Sequence, residues 1–117
     1  MVGSRGTNSP KIPRRGAVYW VDLTPTRGSE IQKTRPCVVV SPDELNAHLQ
    51  TVIVAPVTSG GRSYPWRVEC RVQRKEGRVA LDQLRTVDRE RLVGYLGPLS
   101  EETLAAVLAT LTEFFAP

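Results

Sequence analysis

Thr34-Arg35-Pro36-Cys37-Val38-Val39-Val40 and, further along, Val52-Ile53-Val54-Ala55-Pro56-Val57-Thr58-Ser59 are the two stretches that decide the fold. Each is a short apolar run rich in β-branched residues and bounded by polar groups. That is the pattern of a buried strand, and both runs are too short for an ordinary helix. Each also carries a polar side chain at one end: Arg35 leads into the first, and Thr58 and Ser59 close the second. Pro36 biases Arg35 toward extended backbone at the mouth of its strand. A planar, permanently charged guanidinium beside a short hydroxyl suits a phosphate group. Gly28-Ser29-Glu30, just upstream, adds a carboxylate. The pattern points to phosphodiester chemistry, or at least to nucleic-acid binding.

Working outward, residues 17–23 read as a strand, with aromatic and β-branched residues between Gly16 and Pro25. Residues 24–35 form a polar connection too long for a tight hairpin, the kind of loop that carries function. Pro42-Asp43-Glu44-Leu45-Asn46 predicts a helical turn with Pro near its start. Gly60-Gly61 marks a flexible loop, and residues 66–72 alternate apolar and polar like a half-exposed strand. Lys75-Glu76-Gly77 is expected to turn, with further strands over 78–81, 84–87 and 92–96. Ser100 can cap a helix whose first turn holds Glu101 and Glu102. Leu104, Val107, Leu108, Leu111 and Phe115 then recur at helical spacing. The expectation is a β-rich (α+β) small barrel with one C-terminal amphipathic helix packed on it. The residues alone do not separate an SH3-like from an OB-like barrel.

With 117 residues and 40% apolar content, one domain is expected. We place it at 16–117, after a basic tail over 1–15 that has no periodicity and reads as disordered. Arg5, Lys11, Arg14 and Arg15 account for the whole formal charge of +4, so the body itself is neutral. Within it, residues 62–78 concentrate bases while the stretch from Ser100 onward carries only acids. A polyanion is expected to meet the first region. No run approaches the ~20 apolar residues of a membrane span, and no apolar leader is visible, so a cytoplasmic protein without membrane attachment is expected. Cys37 and Cys70 lack metal-type spacing and read as buried hydrophobes in a reducing compartment, with a cross-strand disulfide left open. No metal site or cofactor is expected.

Taken singly, the candidate residues are ambiguous. An isolated Arg35 reads as a surface ion pair, and an isolated Thr58 as a strand-ending cap. Glu30 can accept a proton or orient Arg35, but a carboxylate and a guanidinium are a poor acid–base couple at neutral pH. His48, the single histidine, has no geometric signature and reads as a surface residue. Gln83 and Arg85 alternate along a strand and can face one side, reading a base edge or a phosphate. Arg27 and Ser59 add polar contacts, and Tyr64 and Trp66 can stack unpaired bases. Packing is the competing role for the aromatics, and the stronger one for Trp20.

An ordered set of motifs resolves part of this. Gly16-Ala17-Val18-Tyr19-Trp20-Val21-Asp22-Leu23, Pro25, Gly28-Ser29-Glu30, Arg35-Pro36, Val38 to Val40 with Ser41, Pro56-Val57-Thr58, Tyr64-Pro65 and Asp82-Gln83-Leu84-Arg85-Thr86 resemble the MazF/PemK family of toxin endoribonucleases. The resemblance runs from Gly16 to the last helix. It implies an SH3-like barrel of the CcdB/PemK type, a homodimer, metal-free cleavage of single-stranded RNA at short sequences independently of the ribosome, and neutralisation by a cognate antitoxin. It implies catalytic roles for Arg35 and Thr58. Glu30, a carboxylate near Arg35 in sequence, is the third catalytic candidate, and Arg27, Ser59, Tyr64, Trp66, Gln83 and Arg85 are the candidates for RNA contact. A variant trio of some PemK-type relatives is not available, because Ser29 and Ala80 stand where it needs His and Arg and only Asp82 matches. Ile31 also replaces the Gln usual after the loop Glu. Two other readings remain: a non-catalytic single-stranded RNA-binding module, and a CcdB-like inhibitor of DNA gyrase, which would lack the C-terminal Trp of that group.

Overall fold

The computed structural model describes residues 10–117. Seven strands form one curled antiparallel sheet: β1 (Ala17–Asp22), β2 (Thr34–Val39), β3 (Thr51–Thr58), β4 (Arg67–Val72), β5 (Lys75–Ala80), β6 (Arg85–Asp88) and β7 (Leu92–Pro98). A short helix α1 (Asp43–His48) joins β2 to β3, and α2 (Glu101–Phe114) ends the chain. Strand order is β4-β5-β3-β2-β1-β7, with β6 also paired to β3. The expected small barrel is therefore a curled half-barrel, β4 and β7 being the ends of the ladder path.

The long strand β3 organises the curl. Its first half pairs with β6 from Thr51↔Asp88 to Val54↔Arg85, and its last residues pair with β5 at Val57↔Val79 and Thr58↔Arg78. Ala55-Pro56 lies at the switch between these partners. Proline has no N–H to give to a ladder, so it is tolerated where pairing on that edge is interrupted.

Strand alternation buries both faces. Val18, Val38, Ala55, Val57, Cys70 and Val79 join Val107 of α2 in one core, while Tyr19, Val21, Cys37, Val39, Val52 and Val54 form a second. Ser100 Oγ accepts from Thr103 N at 3.1 Å and starts α2 where expected. Gly16, at φ +92°, lets α2 approach: a Cβ there would stand 2.8 Å from Leu104 Cδ2. Phe115 falls beyond the helix and is exposed, so the apolar stripe ends earlier than the spacing predicts.

Three local expectations change. Gln83 lies in a single 3-10 turn over Leu81–Gln83 and not on a strand with Arg85, which opens β6; both still line one cleft. The hairpin turn is Gln73-Arg74, both at positive φ (49° and 70°), and Lys75-Glu76-Gly77 belongs to β5. Glycine usually fills such positions, so the sequence pointed to the wrong residues. The expected tail over 1–15 lies outside the described residues for 1–9, but its last part is attached to the body. Pro13 is buried and accepts from Asn46 Nδ2 at 2.9 Å, and Arg15 Nε donates to Val40 O at 2.8 Å. The two cysteines are free and lie in different cores. Burial pushes the Cys37 thiol up to about 12 and that of Cys70 to about 11.

Candidate active site

Arg35 lies at the start of β2 and Thr58 at the end of β3. Continuing the observed Cys37↔Pro56 register by two residues sets them across from each other. Both line a cleft of about 250 Å³ whose apolar lining includes Trp20, Pro36, Val57 and Leu96. The Arg35 guanidinium donates through Nε to Gln32 O at 3.3 Å, and no carboxylate among the described residues pairs with it. Thr58 Oγ1 is buried and, among the described residues, has no hydrogen-bond partner. A buried hydroxyl left unpaired costs about 1–3 kcal/mol. Such a cost is tolerated where a ligand is to supply the partner. Ser59 lines the same cleft and is exposed.

Glu30 stands elsewhere. With Arg27, Ile31, Asp82, Gln83 and Arg85 it lines a neighbouring cleft of about 670 Å³. Its Oε1 accepts from Arg27 N at 2.6 Å and closes the tight turn of the loop over 24–33. Gln83 Oε1 accepts from Ile31 N at 3.3 Å, and Arg85 Nη1 donates to Leu23 O at 2.9 Å, so both tie the loop and the end of β1 to the sheet. Asp82 is held by Arg67 in a two-point fork at 2.7 and 2.8 Å. That fork, the largest influence on the carboxyl, holds it below the usual carboxylate range.

The structure thus brings Arg35, Thr58 and Ser59 together, and groups Glu30, Arg27, Gln83 and Arg85 beside them. Tyr64 and Trp66 stack on each other, with centroids 4.9 Å apart and planes at 8°, and both are half-buried. His48 sits before β3, at the opposite end of that strand from Thr58, with Nδ1 3.1 Å from Glu44 O. Sequence reasoning missed Arg67, whose fork orders Asp82, and Arg78, the cross-strand neighbour of Thr58. The basic stretch over 62–78 was a signal for both, but only the register picks them out. Asn46, wholly buried, was missed too; it bridges Ser41 and Pro13.

A curled antiparallel half-barrel with one C-terminal helix, and with polar groups gathered at the ends of two adjacent strands, is the architecture of small bacterial toxin barrels, here superposing on a MazF from Deinococcus radiodurans. That structure has a TM-score of 0.78 and 30% identity, covering 90% of this chain and 97% of the other. The chain matches the family described as PemK-like, MazF-like toxin of type II toxin-antitoxin system over residues 14–115, and it belongs to that family. The endoribonuclease MazF of Staphylococcus epidermidis is 39% identical over 100 residues, 80% of this chain and 83% of that protein. A mycobacterial endoribonuclease solved in complex with its cognate antitoxin has a TM-score of 0.75 and 27% identity, covering 90% of this chain and 97% of its own.

Proposed function

We propose that this protein is an endoribonuclease toxin that cuts single-stranded RNA at a short recognised sequence, without a metal ion and away from the ribosome. It acts in the cytoplasm as a homodimer and is neutralised by a cognate antitoxin. Membership of the MazF/PemK family supports the activity class. The observation that carries the mechanism is the unpaired Thr58 hydroxyl beside the Arg35 guanidinium.

In this reading the ribose 2′-oxygen attacks the adjacent phosphorus in line. The O2′–P bond forms, the P–O5′ bond breaks, the 2′-hydroxyl loses its proton and O5′ gains one. The products are a 2′,3′-cyclic phosphate and a 5′-hydroxyl end. Arg35 neutralises the charge that builds on the phosphorane, and Thr58 donates to a nonbridging oxygen. With His48 at the far end of β3, positioning and charge stabilisation carry the rate. Glu30 acts through the loop: it fixes the turn at Arg27 and so sets Gln32, whose carbonyl holds Arg35. Arg27, Ser59, Gln83 and Arg85 receive the flanking nucleotides, and Tyr64 and Trp66 offer a stacking face. The antitoxin blocks the same groove with an extended acidic segment.

The test is incubation of the purified protein, in EDTA, with a long unstructured RNA, followed by mapping of fragment ends. Cuts at one recurrent sequence with 5′-hydroxyl ends, abolished by a single 2′-deoxy substitution at the cut, are expected. Cleavage of the deoxy substrate at an equal rate would rule the mechanism out. Bound but intact RNA would favour the non-catalytic binding module, and gyrase inhibition without RNA cleavage the CcdB-like reading.

A further inference from the structure

Thr58 has a second basic neighbour. β3 lies between β2 and β5, and the ladders run Glu69↔Arg78 and Arg78↔Thr58. Extending the β2–β3 register two residues past its last pair, Cys37↔Pro56, sets Arg35 across from Thr58 on the other side. Residues directly opposite in antiparallel strands point to the same face, with strands about 4.8 Å apart. Thr58 is therefore flanked on one face by two guanidinium-bearing residues, Arg35 on one side and Arg78 on the other.

Arg78 is held but not satisfied. Its Nη1 donates to Gly61 O at 3.1 Å, which anchors the guanidinium against the loop after β3. Its Nε is buried and, like Thr58 Oγ1, has no partner among the described residues. The acids around it do not take it up. Glu69, directly opposite, makes no ion pair with it, and Glu76 is engaged by Arg71 at 2.9 Å. Gly77 keeps this edge tight against β3, since a Cβ there would stand 2.7 Å from Thr58 O. Arg78 lines the cleft next to the one that holds Arg35 and Thr58, and Ser59 lines both. A phosphate seated at that shared wall has several oxygens to offer the two open groups.

We propose that Arg78 is a catalytic residue, a second guanidinium that contacts the reacting RNA phosphate opposite Arg35, with Thr58 between them. The inference rests on the endoribonuclease reading above. Its effect belongs to the transition state, where charge on the phosphate oxygens is greatest, so kcat responds more than KM.

The experiment measures kcat and KM in EDTA for the wild type, Arg78→Ala and Arg78→Lys on one RNA substrate carrying the mapped cut site, together with thermal unfolding. Arg78→Ala is expected to lower kcat about 10- to 100-fold with KM within about threefold. Arg78→Lys should recover part of that loss, and millimolar guanidinium should partly rescue Arg78→Ala but not the wild type. An unchanged kcat, or a change confined to KM, would overturn the assignment while leaving the endoribonuclease reading intact. A kcat loss that tracks a fall in Tm and is not rescued by guanidinium would overturn it in favour of a structural role. A wild type that does not cleave RNA at all would bring down both.

Discussion

The two clefts beside the β2–β3 strand ends are built from similar residues and treat them in opposite ways. In the larger one, polar side chains are paired: Asp82 with Arg67, Gln83 with Ile31 N, Arg85 with Leu23 O, and Glu30 with Arg27 N. In the smaller one, Thr58 Oγ1 has no partner among the described residues and Arg35 has only a long bond to a backbone carbonyl. The paired groups hold a loop in place. In the proposed mechanism the unpaired ones receive the phosphate, at some expense of stability in the free protein. In that mechanism it is the open hydroxyl beside Arg35, more than polarity alone, that distinguishes the reacting centre.

The largest expected effect breaks the smaller cleft. Arg35→Ala should lower the cleavage rate about 10²- to 10³-fold, measured as single-turnover cleavage, because removing one donor aimed at developing charge costs that much. Its unfolding midpoint should stay near the wild-type value, since Arg35 makes no ion pair among the described residues.

In the larger cleft the consequence should be the reverse. Asp82→Asn removes the charge and one of the two acceptors of a fork that is mostly shielded from solvent, at a cost of about 1–2 kcal/mol measured by urea unfolding, with most activity retained. The sign with pH follows from the lowered Asp82 carboxyl. The folded state binds that proton less readily than the unfolded chain, so the contribution is complete above the ordinary value of ~3.9 and is lost as pH falls below it. Wild type and variant should converge in stability in that acid range and diverge above it.

A smaller effect sharpens the division. Gln at position 30 can still accept from Arg27 N, so Glu30→Gln should cost less than about tenfold in rate, and Glu30→Ala more. A loss of about 10² or more for Glu30→Gln, within the range of a general base, would move the carboxylate into the chemistry.

Much of the scaffold was legible because it rests on periodicity. The runs around Val38 and Val54, the strand over 17–23 and the Ser100-capped helix all follow from patterns within one segment. Arg35 and Thr58 were legible as the polar ends of two such runs. Features that depend on register were not. Gln73 and Arg74 turn a hairpin that local propensity places at the nearby Gly77. Asp82 and Arg67 are 15 residues apart, and Gln83 and Ile31 are 52 apart, so neither pairing is written in any local spacing. The assignment of Glu30 to the second cleft is of the same kind, since nothing in Gly28-Ser29-Glu30 tells which side of the sheet the loop will cover.

The most direct measurement is Thr58→Val, assayed for both cleavage and unfolding. Valine keeps the shape and removes the hydroxyl. If that group is held unpaired for a phosphate, cleavage should fall about 10²-fold or more while the unfolding midpoint stays unchanged or rises, since a buried unsatisfied hydroxyl costs about 1–3 kcal/mol. A variant that cleaves RNA at the wild-type rate but unfolds several degrees lower would show that Thr58 is satisfied in the free protein, and would contradict the account.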